Sequence, residues 1–200
     1  MHKQYGDSER NEIIVVSGLP RSGTSMMMMM LDAGGIEILT DNVRTADVDN
    51  PKGYYEFERV KSLSKGDTQW LPQAQGKAVK IISSLLKFLS PEYRYKIIFM
   101  RRRIDEIMAS QSRMIDNRQE NSARVPDAEM SNLYEKHLQA TLAWLKGEDY
   151  IEHIEISYND ILREPENTLS ALPSFLEYPL DTDRIISTID RSLYRQKSSA

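Results

Sequence analysis

Cysteine is missing from this 200-residue chain. Its absence excludes disulfide frameworks, thiolate zinc sites and cysteine nucleophiles together, so packing alone must hold the fold. Histidine is scarce: His2, His137 and His153 are scattered without paired spacing, which argues against a histidine-rich metal site. No run approaches the roughly 18 consecutive apolar residues of a spanning helix, so membrane insertion is not expected. An excess of charge is also lacking, since 26 Lys+Arg against 30 Asp+Glu give a formal net charge of −4. That balance supplies no drive toward nucleic acid or anionic membrane, so any bound anion must be handled by a local cluster. Residues 1–11 are polar and mixed in charge, with no apolar core of a secretory signal. They are expected to be flexible, and the chain reads as cytoplasmic.

Four short segments are apolar and rich in β-branched residues: 13–16, 78–82, 97–100 and 154–156. Such near-continuous runs predict strands buried on both faces. Helical patterns separate them. Residues 25–33 are almost wholly apolar, carry five consecutive methionines, and stop at Gly34-Gly35, a C-cap signal. Ile104, Ile107, Met108, Gln111, Met114 and Ile115 recur at helical spacing, with Asp105 and Glu106 in the first turn. Leu133, His137, Leu138, Thr141, Leu142 and Leu145 mark a third helix. Leu169, Leu172, Phe175 and Leu176 mark a fourth, which Pro173 should kink or shorten. Strands alternating with helices imply right-handed crossovers, hence an α/β, three-layer fold with a parallel β-sheet flanked by helices. At about 100 to 200 residues per domain, residues 1–200 read as a single domain. Loops 40–53 and 116–129 are long enough to shape a site, and ligands belong at the carboxyl ends of the strands.

After the first strand comes SGLPRSGTS, residues 17–25, opening directly into the methionine helix. Gly18 and Gly23 have the spacing of a phosphate-binding loop, whose backbone N–H groups converge on an anion at a helix N-terminus. In the ATP and GTP version a lysine follows the second glycine and reaches the β- and γ-phosphates. Here Thr24 holds that position, and Arg21 is the only cation in the loop. The loop suits a phosphate but lacks triphosphate equipment.

The third strand runs into Arg101, Arg102 and Arg103, where a Walker B strand would end in an aspartate for magnesium. Three arginines at a strand end, with Ser110 about two turns along the following helix, make a second anion site. Two phosphate sites on neighbouring strands suggest a nucleotide with separate 5′ and 3′ anions.

These residues resemble a known family. PRSGTS before an apolar helix, with FMRRRIDEIMASQ downstream, is similar to the signature segments of sulfotransferases that use 3′-phosphoadenosine 5′-phosphosulfate (PAPS), and most to bacterial sulfotransferase-like proteins. The resemblance extends to GYYEFERV (53–60), to EISYNDILREP (155–165) and loosely to SLYRQ near the C-terminus. It implies a P-loop nucleotide-binding fold and a transferase that moves a sulfuryl group from PAPS to a hydroxyl or amine of an unidentified acceptor, without a metal. By resemblance, Arg21, Ser22, Gly23, Thr24 and Ser25 bind the 5′-phosphosulfate, Arg102 and Ser110 the 3′-phosphate, and Tyr158 the adenine.

Sulfuryl transfer needs donor and acceptor held in line, neutralisation of charge on the departing phosphate oxygen, and removal of the acceptor's proton. Arg21 is the natural partner of the departing charge. Lys80 resembles an assisting lysine of the cytosolic enzymes, whose histidine base is replaced here by Ile82 or Ser83. Other branches use a glutamate after the first helix, which points to Glu56, with Glu58 close behind. Met26 stands where cytosolic relatives stack a tryptophan on adenine, and Arg191, Arg195 and Lys197 stand near where they carry Arg-Lys-Gly. Trp70, Trp144, Tyr54 and Tyr55 suit either an acceptor pocket or the core. The alternatives are a non-catalytic nucleotide-binding protein and an atypical P-loop kinase.

Overall fold

The computed structural model of the chain describes residues 11–41, 43, 53–117 and 127–190. Strand β1 (Ile13–Gly18) leads into helix α1 (Thr24–Ala33), and a 3₁₀ helix (Glu58–Lys65) and the short α2 (Leu71–Ala74) precede β2 (Ala78–Lys80). A second 3₁₀ helix (Ser83–Phe88) joins β2 to β3 (Tyr95–Arg101), which is followed by α3 (Ile104–Asn117) and α4 (Asp127–Gly147). Strand β4 (Ile151–Ser157) runs into α5 (Tyr158–Arg163), α6 (Pro165–Leu169), α7 (Leu172–Leu176) and α8 (Thr182–Ser187). The four strands pair in the order β2-β1-β3-β4, every pair parallel.

Alternation along the central strands divides the core. Ile13 and Val15 of β1, with Tyr95, Ile97 and Phe99 of β3, face one layer; Ile14 and Val16, with Ile98 and Met100, face the other. The first layer holds Val60, Leu63, Trp70, Leu86, Ile107, Leu138 and Leu145. The second holds Met27, Met28, Met30 and Leu31 of α1, together with Ile161, Leu162 and Ile185. Flexible methionines fill the irregular space behind the loop, as their polarisable, unbranched chains allow.

Three expectations need correction. Strand β4, at the edge of the sheet, is not buried on both faces: Glu152 and Glu155 are exposed, and Ile151 and Ile156 are its buried residues. Helices α6 and α7 replace the single helix expected around residues 169–176, because Pro173 lies in the first turn of α7, where a missing N–H costs nothing. The loop at 116–129 is helical at both ends, and residues 118–126 lie outside the described residues, as do 1–10, most of the 40–53 loop, and Arg191, Arg195 and Lys197. Among the described residues no helix is long and apolar enough to cross a membrane.

At the amino end of the sheet Lys96 is buried, 2% exposed. Its Nζ donates to the Phe175 carbonyl and to Glu177 Oε1, both at 2.8 Å, and lies 3.7 Å from Glu12 and from Glu152. Burial alone would lower the Lys96 pKa; the Glu177 bond and the flanking carboxylates more than reverse this and raise it. The same bond pulls the Glu177 carboxyl below its ordinary value. A carboxyl lowered on folding contributes stability above its unfolded pKa of about 4.3, and loses it as pH falls through the folded value. Acid titration followed by circular dichroism should therefore show stability falling below about pH 4.3, and Glu177→Gln should flatten that dependence.

Candidate active site

The order β2-β1-β3-β4 means that the chain leaves β1 for one side of the sheet and returns to the other, so a crevice opens between the carboxyl ends of β1 and β3. The loop after β1 fills it. Gly18 has φ +147°, and a Cβ there would fall 2.5 Å from Ser22 Oγ and 2.7 Å from the Met100 carbonyl. Gly23, the N-cap of α1, has φ +99°, and a Cβ would fall 2.5 Å from the Tyr158 ring. Only glycine fits either place. Gly23→Ala should destabilise the fold by about 2–4 kcal/mol, combining backbone strain with the clash. Thermal denaturation of that variant checks it.

Thr24 begins α1 and Ser25 follows it, with no acidic residue in the first turn to occupy the positive helix end. The Ser22 hydroxyl is buried and has no hydrogen-bond partner among the described residues. A buried hydroxyl left so is costly unless a ligand oxygen meets it. Arg21 takes a left-handed backbone, φ +68°, which a non-glycine residue holds only when its surroundings impose it. Two bonds do so: Arg21 Nε donates to Ser110 Oγ (2.9 Å), and the Arg21 carbonyl accepts from Arg102 Nη1 (3.1 Å).

The three arginines after β3 divide. Arg101 pairs with Glu155 and Arg103 with Asp105, all at the surface, so these two form the solvated patch rather than the anion site. Arg102 turns inward. Its side chain is 8% exposed; Nε donates to Glu106 Oε2 (3.0 Å), and the guanidinium lies 4.4 Å from the centroid of the Tyr158 ring. Tyr158 therefore sits between Gly23 and Arg102 as a spacer joining the loop to the β3 end. Burial raises its hydroxyl pKa.

At the end of β2, Lys80 Nζ donates to the Tyr54 carbonyl and to Ser25 Oγ (3.3 Å), and lies 3.7 Å from Glu56 Oε1. Glu56 is held through its backbone, whose carbonyl accepts from Thr40 Oγ1 (2.8 Å) and from the Asp41 N–H (3.3 Å). Glu58 is more exposed: it pairs with Lys61 at 2.6 Å on the surface, and the same Lys61 lies 3.9 Å from Glu56 Oε2. Every expected site residue except Glu58 thus gathers at the carboxyl end of the sheet, Lys80 with Glu56 on one side of the loop and Arg102 with Ser110 on the other.

The sequence reading missed two participants, Glu106 and Asn159. Arg102, two residues before α3, and Glu106 and Ser110 on it recur every fourth position, a spacing that signals the cluster. It also missed that His137, distant in sequence, reaches Ser83 Oγ with Nε2 at 2.8 Å; burial and then Lys87 lower the pKa of this histidine. Among the described residues no group of three or more His, Asp or Glu side chains is placed to hold a metal ion.

The family model for the sulfotransferase domain matches residues 11–200. The chain belongs to the sulfotransferase domain family. The motif resemblance is borne out. Solved structures of the family share the fold: mouse sulfotransferase SULT7A1 complexed with PAP has a TM-score of 0.58 at 16% identity, covering 95% of this chain and 69% of that one. The sulfotransferase domain of the Synechococcus PCC 7002 olefin synthase gives 0.52 at 17% identity, over 100% of this chain and 82% of that one. The sulfotransferase domain from the curacin biosynthetic pathway gives 0.51 at 16% identity, over 92% and 79%. Among curated proteins no match reaches significance.

Proposed function

We propose that this protein, acting as one domain in the cytoplasm, uses PAPS to sulfate a hydroxyl or amine of an acceptor. The observation that carries this is the pair of anion sites at one crevice, the β1–α1 loop and Arg102 with Ser110, joined through Arg21 and lacking both the loop lysine and the strand-end aspartate of triphosphate enzymes. The orphaned Ser22 hydroxyl and the uncharged first turn of α1 fit an incoming phosphate. PAP in the mouse relative fits the same reading.

PAPS supplies the sulfuryl group and departs as the 3′,5′-bisphosphate. In this reading Arg21 and the backbone of residues 22–25 hold the 5′ end, Arg102 and Ser110 hold the 3′-phosphate, and Tyr158 lies where the nucleoside between them must pass. Arg21 meets the charge that builds on the leaving oxygen. Glu56 takes the acceptor's proton, and Lys80 ties Glu56 to the first turn of α1 through Ser25.

Calorimetry tests the nucleotide assignment directly. Adenosine 3′,5′-bisphosphate should bind in preference to ADP and ATP without magnesium, and Arg102→Ala should weaken it by about 1.5–3 kcal/mol. Equal or tighter ATP binding that requires Mg²⁺ would favour the kinase reading instead.

A further inference from the structure

Glu106 is a buried carboxylate, 2% exposed, that the reaction itself does not use. A charge so placed survives only with partners on both oxygens. Asn159 Nδ2 donates to Oε1 at 3.0 Å and to Oε2 at 3.1 Å, and Arg102 Nε donates to Oε2 at 3.0 Å. Asn159 follows Tyr158 at the start of α5, while Glu106 lies in the first turn of α3, so one carboxylate binds the β4–α5 junction to the α3 stripe. Arg102 lies within this frame. Its Nε is held by Glu106, its Nη1 by the Arg21 carbonyl, and its plane by the Tyr158 ring.

Two effects of Glu106 oppose each other. Its charge repels any phosphate nearby, and its hydrogen bond fixes the guanidinium before a ligand arrives. An arginine oriented in advance loses less rotamer freedom on binding than one that must be ordered. A full negative charge kept beside an anion site is otherwise a net cost, so orientation is the term that accounts for it.

We infer that Glu106, braced by Asn159, is a positioning residue that sets Arg102 for a nucleotide 3′-phosphate and so fixes the preference for 3′-phosphorylated donors. This rests on the nucleotide reading proposed above. It differs from a purely structural role in what it controls, namely the ratio of affinities for nucleotides with and without the 3′-phosphate rather than affinity for nucleotides in general.

The test is calorimetric titration of adenosine 3′,5′-bisphosphate and adenosine 5′-monophosphate into the wild type and into E106A, E106Q, N159A and R102A. The ratio of the two affinities should fall about 10- to 100-fold in R102A, about tenfold in E106A and about threefold in N159A. E106Q, which keeps an oxygen acceptor for Arg102 Nε, should retain most of it. Binding of the monophosphate should stay unchanged in E106A, E106Q and N159A, whereas R102A, which also removes the bond to the Arg21 carbonyl, should weaken it less than it weakens the bisphosphate. A wild-type ratio in folded E106A and N159A, with the ratio lost in R102A, overturns the role of Glu106 and leaves the nucleotide reading standing. A wild-type ratio in R102A overturns that reading and the inference with it. Equal weakening of both nucleotides in E106A assigns Glu106 to folding alone and also overturns the inference. Where E106A does not fold, N159A decides: an unchanged ratio counts against.

Discussion

Arg21→Ala will lower kcat for sulfate transfer by about 10²–10³-fold, the usual cost of removing one group that meets developing charge in a transition state. Arg21 is the sole cation of the β1–α1 loop, and its guanidinium is already ordered by Ser110 at 2.9 Å. Arg21→Lys restores a charge but has no Nε–H to give Ser110, so it should recover only part of the rate. The backbone provides a control. With φ at +68°, residue 21 carries strain that glycine relieves and alanine does not. Arg21→Gly should therefore melt at or above the wild-type temperature while matching Arg21→Ala in activity. Labelled-sulfate assays beside thermal melts read both quantities. Wild-type turnover in Arg21→Ala or Arg21→Gly would remove Arg21 from the chemistry.

The parts of this architecture that follow from local chain chemistry were legible in the sequence. Strands β1 and β3 are apolar on both faces because both are central, and the loop between Gly18 and Gly23 is fixed by glycine geometry that no other residue tolerates. The end of Arg102 and the stripe with Ser110 were legible for the same reason: strand end and helix spacing are local. What was hidden depends on tertiary pairing. Three adjacent arginines look alike in sequence, yet only Arg102 finds a buried acceptor, while Arg101 and Arg103 meet exposed carboxylates. Glu106 reads as an ordinary helix-start acid until α5 brings Asn159 to it. His137 comes to Ser83 only because α4 and the 3₁₀ helix Ser83–Phe88 contribute Leu138 and Leu86 to the same core layer, a tertiary arrangement that no local pattern encodes.

Glu56→Gln should lower kcat by about 10²–10⁴-fold, the span of general-base contributions, whereas Glu58→Gln should stay within about twofold of wild type. The two carboxylates stand two positions apart, and a fully extended chain would put them on one face. The fold gives them one shared neighbour, Lys61, and different other partners. Phe57 is the last extended residue, φ −123° and ψ 110°, and Glu58 opens the 3₁₀ helix, which breaks the period of two. Glu58 is consequently held at the surface by Lys61, with its own N–H bound to Asp41 Oδ2 at 2.6 Å. Glu56 Oε2 lies 3.9 Å from the same Lys61, but its Oε1 is turned to Lys80 and, through it, to Ser25 in the first turn of α1. A base so tethered should depend on its tether: Lys80→Met should reduce kcat while leaving affinity for adenosine 3′,5′-bisphosphate within about threefold, since Lys80 Nζ meets Tyr54, Ser25 and Glu56 at the end of β2. Single-turnover assays with the three variants, at matched nucleotide saturation, distinguish the roles. Loss of turnover in Glu58→Gln with Glu56→Gln active would move the base to Glu58 and require the 3₁₀ helix to rearrange when the acceptor binds.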